Sequence, residues 1–382
     1  MNTDLSPKYI KSIDQNTILW FECSNQYVII STHTHEIIKI YLDAISEEEF
    51  ITHLINHEHL NFKEAALVSK EFKQLLIRLN TLNEKAVVSG LKTVQTKTVR
   101  QNIESYRYSF GNIIVKVLYG SESINHIFHP QLAHNALDSN KEITCEFKIL
   151  KVDDNLCLYK DGDFIFSSST KTYHFVQGHF AMELTNAIHQ KQQDQWLATF
   201  HASTIGNDQE AIMLIGDSGN GKSTLSALLM NDGFDLLADD FTPMYAEDLN
   251  IYRYPNAISI KKGAFNSLNE EIFQFEKLKT HQNGSKGIEI RYLPPSKCLN
   301  DEPKKLPCKK IVHVTYSKNT PQRFNQSNAK YILETLIPDS WLSPKASHAK
   351  LFLDWLSDVE FYELRYNDNQ FALSNFASLF KA

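Results

Sequence analysis

Long apolar runs are missing from this chain of 382 residues. No stretch approaches the ~18 apolar residues that a membrane-spanning helix needs, so no membrane span is expected. The opening residues, MNTDLSPKYIKS, also lack the apolar centre of a secretory signal. Cysteine is sparse: Cys23, Cys145, Cys157, Cys298 and Cys308 are scattered, odd in number and never spaced C-x-x-C. That argues against a disulfide framework or a zinc site and fits a reducing cytoplasm. Basic residues are in deficit, with 39 Lys and Arg against 45 Asp and Glu and a formal net charge of −6. Such a balance argues against general affinity for nucleic acid or an anionic membrane. The histidine clusters HTHE (His33 to Glu36) and HEH (His57 to His59) miss the H-E-x-x-H metal spacing and read as surface. What is present, 42% hydrophobic and 22% charged residues, is ordinary for a globular protein with room for two or three cores.

The first eighty residues read as a module of their own. TILWFEC (Thr17 to Cys23) and YVIIS (Tyr27 to Ser31), separated by SNQ, predict a hairpin. Three helices are expected after it: His35 to Ala44, a second opened by a Ser46/Glu49 capping box, and Asn61 to Leu79. This is a small α+β, winged-helix-like domain at 1–80. Residues 81–102, polar and weakly periodic, read as a linker, and 103–382 as the second domain. Within it, IIVKVLY, ITCEFKIL, LCLYK and FIFSS predict strands, and Met182 to Leu197 a helix. KIVHVTY and FYELRY are further strands, with helices from Asn328, Ser347 and at the terminus. The aromatic segment with Trp341, Phe352, Trp355, Phe361 and Tyr362 reads as core.

The informative stretch is AIMLIGDSGNGKSTLSALL, Ala211 to Leu229. Gly216 to Ser223 spells G-x-x-x-x-G-K-S between an apolar strand and a helix with Leu225, Leu228 and Leu229 on one face. Gly216, Gly219 and Gly221 let successive N–H groups curl toward an anion, and the helix adds the positive end of its dipole. The pattern predicts ATP binding by Gly216, Asp217, Ser218, Gly219, Asn220, Gly221, Lys222, Ser223 and Thr224. Lys222 would reach the β- and γ-phosphates, and the Ser223 hydroxyl would sit on Mg²⁺.

Asp239 and Asp240 end the next short strand, in GFDLLADDF. One carboxylate can hold Mg²⁺ while the other takes a proton from an attacking hydroxyl. His201, in TFHAS, precedes the glycine loop. Arg253 and Arg291 are candidate phosphate or substrate contacts, because a planar guanidinium suits such anions, and each reads at least as well as a surface arginine. Lys261 and Lys262 read as a solvated pair.

His201, GDSGNGKST and LLADD, in this order and spacing, resemble the catalytic domain of HPr kinase/phosphorylase. That family shares a superfamily with the nucleotide-binding part of ATP-dependent phosphoenolpyruvate carboxykinase. The resemblance covers roughly His201 to Gly263 and implies an α/β P-loop kinase domain, with its core at 198–265. It implies a serine kinase that uses ATP and Mg²⁺, with Asp239 as base, Asp240 as metal ligand, and His201 near the transferred phosphate. It also implies a peptide or protein acceptor and association into homo-oligomers. The family's glycine-rich E-I-R-G-L-G-I stretch has only IEIRYLPP as its counterpart, Ile288 to Pro295. Glu289, Ile290 and Arg291 survive without the glycines, which puts phosphorylase activity and recognition of HPr in doubt. The chain looks more like HPr-kinase-related proteins found with peptide-modification systems, and its first eighty residues resemble PqqD-like domains that bind precursor peptides. Two rival readings remain: a small-metabolite kinase or carboxykinase-like enzyme on the same fold, and a peptide-binding module gated by ATP without transfer.

Overall fold

The computed structural model describes residues 5–82, 104–139, 141–283 and 287–381. It is a mixed α/β chain with four sheets among the described residues. The expected linker lies outside them from residue 83 onward. No described helix is long and apolar enough to cross a membrane. All five cysteines are free, with Cys23 and Cys298 exposed.

The N-terminal elements are β1 (Tyr9–Ile13), β2 (Asn16–Phe21), β3 (Gln26–Ser31), α1 (Thr32–Asp43), α2 (Glu47–His57) and α3 (Phe62–Leu79). The predicted hairpin is β2–β3, with Phe21 opposite Gln26. β1 adds a third antiparallel strand that the sequence reading left out. Ser46 caps α2 by accepting the Glu49 N–H at 3.2 Å. The Glu49 carboxylate, however, returns to the Ile45 N–H at 2.7 Å, one residue before its expected partner. The full reciprocal box sits on α3, between Asn61 and Glu64.

The second unit begins with a five-stranded sheet, β4 (Glu104–Phe110), β5 (Ile113–Tyr119), β6 (Cys145–Val152), β7 (Asn155–Lys160) and β8 (Asp163–Ser169), in sequence order. Its one parallel pair, β5–β6, is bridged by α4 (Glu122–Leu132), as a parallel crossover requires. The helix expected over Met182 to Leu197 is α5 (Tyr173–His189). Val176, Phe180, Leu184 and Ile188, all buried, form one stripe along it. Left-handed Gln190 ends that helix, and Trp196 already belongs to the next strand.

The large sheet follows. Its members are β9 (Trp196–Phe200), β10 (Ser203–Gly206), β11 (Ala211–Ile215), β12 (Asp235–Ala238), β13 (Thr242–Tyr245) and β14 (Asn250–Tyr252), with α6 (Lys222–Asn231) between β11 and β12. A small sheet, β15 (Ile258–Lys261), β16 (Thr280–Asn283) and β17 (Ile288–Leu293), carries α7 (Phe265–Glu271) between its first two strands. The chain returns to the large sheet through β18 (Lys305–Tyr316), β19 (Arg323–Gln326), β20 (Trp341–Leu342) and β21 (Glu360–Tyr366). The order is β12-β10-β11-β18-β14-β13-β9-β20, with β21 beside β18 and β19 beside β21. β11, β18 and β21 run parallel at its centre. Every residue of β11 is buried, as expected for a strand covered on both faces. α6 and the terminal helix α10 (Asn369–Leu379) share one apolar core with β18 and β21.

Two further helices, α8 (Ala329–Leu336) and α9 (Ala346–Ser357), depart from the sequence reading, which kept them in the second domain. By packing, Ser327–Pro338 and Leu342–Asp358 belong to the N-terminal unit. The reason lies in β2, where all but the first residue is buried. Leu19 and Phe21 face the core of α1, α2 and α3. Trp20 points the other way into a row of rings, with Tyr9 stacked on it at 5.5 Å and Tyr27 at 6.3 Å. Phe352 of α9 meets Tyr27 edge-on at 5.3 Å and closes that face. Lys11 and Asp354 pair beside it at 2.9 Å. Phe352→Ala should therefore destabilise this unit by about 3–5 kcal/mol, read as a lower urea midpoint by tryptophan fluorescence. An unchanged midpoint would mean that α9 does not complete the core.

Candidate functional site

The glycine loop leaves the carboxyl end of β11, where an open parallel sheet offers its ligand side. Gly216 has φ +145°, and a Cβ there would lie 2.6 Å from the Val314 carbonyl oxygen, so the chain can turn past β18 only as glycine. Gly221, at φ +90°, serves as the N-cap of α6 with no side-chain cap on that helix. The first N–H groups of α6 are thus left for an anion. Two main-chain bonds hold the loop: Asn220 N–H to the Asp217 carbonyl at 3.2 Å, and Tyr316 N–H to the Asn220 carbonyl at 3.0 Å. Asp217, Ser218 and Gly219 are exposed at its tip, while Ser223 and Thr224 are partly buried on the first turn of α6.

Lys222 is buried and donates from Nζ to the Gly216 carbonyl, lying back across the loop that it follows. Burial lowers its pKa, and the charges of Asp240, Asp239 and Asp217 oppose that shift. Asp239, at the end of β12, has no exposed surface. Its Oδ1 accepts from the Ser203 hydroxyl of β10 and from the Ser223 hydroxyl, the latter at 3.2 Å. Its Oδ2 is buried with no hydrogen-bond partner. Burial, reinforced by the neighbouring Asp240, pushes the Asp239 pKa up to about 7, against the Ser203 and Ser223 hydroxyls and the Ser259 main chain. Asp240 stands in the left-handed region at φ 62° and is exposed. His201 occupies the short connection from β9 to β10, two residues before Ser203, and makes no hydrogen bond among the described residues. The same connection is pinned by the Thr242 hydroxyl, which donates to the Ala202 carbonyl at 2.9 Å.

The sequence-derived residues thus converge around the loop and the end of β12, and two more join them. Ser203 had no sequence signal beyond its place after His201, because its role depends on β10 lying beside β12. Lys261, read as a solvated lysine, donates to the Ser218 hydroxyl on the loop at 3.0 Å. Its neighbour Lys262 pairs with Glu289 at 2.6 Å. Both arginine candidates have protein partners. Arg253 is buried, paired through both Nη atoms with Asp235 at 2.8 and 2.5 Å, and bonded to the Leu236 and Pro303 carbonyls at 2.8 Å. Arg291 lies over the Phe265 ring at 4.4 Å and donates to Asn269 at 3.0 Å.

A carboxylate with one oxygen satisfied and the other buried and bare could accept a cation. Ser223 beside it supplies a neutral oxygen. Among the described residues, no group of three or more His, Cys, Asp or Glu side chains is placed to hold a metal. Mg²⁺ does not need one, since it is held by one or two carboxylates, waters and substrate phosphates.

No family model and no curated protein matches the chain. Among solved structures, it is similar to the Hpr(Ser) kinase/phosphatase from Coxiella burnetii, at 11% identity and a TM-score of 0.21. That alignment covers 47% of this chain and 96% of the other.

The Asp239 carboxyl also sets a pH dependence. Its folded-state pKa lies above the ordinary 3.8. Across that interval the native chain keeps a proton that the unfolded chain has lost. Stability without metal or nucleotide therefore falls as pH rises from 3.8 to about 7. Asp239→Asn should flatten this slope and raise stability at neutral pH in EDTA, because a neutral amide carries no buried charge. Equal urea midpoints for both proteins across that range would contradict this.

Proposed function

We propose that this protein is a phosphotransferase that binds ATP with Mg²⁺ and moves the γ-phosphoryl group to a hydroxyl. The observation that carries the proposal is the juxtaposition of buried Lys222, the uncapped start of α6 and the half-satisfied Asp239 carboxylate at one strand end. The loop N–H groups and Lys222 would hold the phosphates, and Lys261 and His201 stand at the margins of that site. Mg²⁺, when bound, would neutralise charge on the β- and γ-phosphate oxygens, with Ser223 and Asp239 as its protein ligands.

This reverses the order of the Asp pair that the family resemblance implies. Two facts support the reversal: Asp239 already shares a bond with the metal-binding hydroxyl of Ser223, and it has no surface for an acceptor to reach. Asp240 is exposed. In the proposed step the acceptor oxygen forms a bond to the γ-phosphorus. The bond from that phosphorus to the β–γ bridging oxygen breaks, and ADP leaves with the electron pair. The acceptor proton passes to the Asp240 carboxylate. The rest is positioning and charge stabilisation by Lys222 and the loop. A serine hydroxyl of a peptide or protein is the acceptor the family resemblance implies, with the N-terminal unit offering the β1 and β3 edges of its sheet to such a chain.

The test is transfer of label from γ-labelled ATP into a lysate of the source cell, separated into protein, peptide and small-molecule fractions. Wild-type protein should label one fraction, and Lys222→Ala none. Asp240→Asn should bind ATP with Mg²⁺ as the wild type does and lose transfer by about 10²–10⁴-fold. Normal transfer by Lys222→Ala would overturn the proposal, and normal transfer by Asp240→Asn would remove that residue as base.

A further inference from the structure

Beside the Asp pair lies a cavity of about 280 Å³ that the reaction described above does not use. It borders the site through two links. Ala257 lines it, and the preceding Asn256 donates to the Asp239 carbonyl at 3.0 Å. Tyr292 also lines it, with burial and, to a lesser degree, the Asp240 charge raising the pKa of its hydroxyl.

The lining is unusual for a chain of net charge −6. His129, His134, His281 and Lys279 stand around it, and no Asp or Glu does. His129 stacks on Tyr106 at 4.0 Å and engages the Tyr108 hydroxyl through Nδ1 at 2.7 Å. When the Tyr108 hydroxyl donates to Nδ1, the neutral imidazole carries its proton on Nε2, which has no partner among the described residues. Burial, together with the positive charge of Lys279, holds both His129 and His281 below the ordinary histidine range. Glu104 acts on His129 in the opposite sense, but it lines none of the cavity and accepts from Tyr106 and Asn125. The histidines do not form a metal site, since no such group is placed to hold one among the described residues. Neutral N–H donors and one ammonium, with apolar walls from Pro130, Leu278 and Pro294, make a receptor for a small anion.

The geometry points to this cavity as the acceptor subsite: His129, His281 and Lys279 hold a carboxylate or phosphate, and a hydroxyl on the same small molecule is set toward Asp240. The acceptor is then a small hydroxy acid, in place of the peptide or protein serine that the family resemblance implies. This inference rests on the phosphotransfer reading above for the role of the cavity, and on the cavity alone for anion binding.

The test is calorimetric titration of the full chain with glycerate, 3-phosphoglycerate and glycerol, each with and without Mg²⁺ and a non-hydrolysable ATP analogue. A hydroxy acid should bind about tenfold or more tightly than glycerol. Lys279→Ala and His281→Gln should each weaken it about tenfold, with analogue affinity in the same preparations as the control for folding. Glycerol binding as tightly as either acid, or acid binding untouched by both variants, would overturn the inference. So would analogue binding with no hydroxy-acid binding in any arm. If the analogue itself fails to bind while the acids bind and the variants weaken them, the phosphotransfer reading fails and the anion site stands.

Discussion

One carboxylate at the end of a strand organises this molecule's functional face. Asp239 is fully buried, one oxygen takes two hydroxyl bonds, and the other has none. Burying such a group disfavours its charged form, so the fold tolerates it only because strong structure around it leaves no alternative. β10 supplies Ser203, α6 supplies Ser223, and Asn256 fixes the Asp239 main chain. The parallel trio β11, β18 and β21 in turn sets where α6 begins. Buried Lys222, an ammonium short of solvation, faces the same problem with the opposite sign. Under the proposed reading, polyphosphate and a divalent cation would answer both at once.

The electrostatics divide the site into two regions. Around the loop, the helix start and Lys222 present a cationic cradle with carboxylates beside it. The cavity lined by Tyr292 instead carries imidazoles and Lys279 without acidic groups. A phosphoryl donor and an anionic acceptor both carry negative charge and repel each other in water. Under the proposed reading, a protein that joins them needs two separately cationic places, with exposed Asp240 as the proton acceptor.

How much of this was legible in the sequence depended on whether the signal was local. The loop, α6 and the β2–β3 hairpin are written in consecutive residues, where spacing alone states the geometry. Long-range pairing was not legible. Arg253 looked like a phosphate contact because nothing nearby in sequence announces Asp235 as its bidentate partner. Lys261 is exposed, as read, but its bond to Ser218 depends on the fold returning β15 to the loop. α8 and α9 follow the large sheet in sequence, but β2 is apolar on both faces and Phe352 covers the second one. The start of α5 was missed because Tyr173 to Gly178 has weak helix propensity, while the stripe from Val176 to Ile188 gains its stability from burial.

The central claim is that a cation completes Asp239. It is tested most directly by the affinity for ATP with and without Mg²⁺, measured by calorimetry in wild-type protein and in Asp239→Asn. The account expects Mg²⁺ to tighten binding by about tenfold or more in the wild type and to have little effect in the variant, since one carboxylate ligand is gone. Equal Mg²⁺ dependence in both proteins would contradict it and return Asp239 to the role of a buried structural acid.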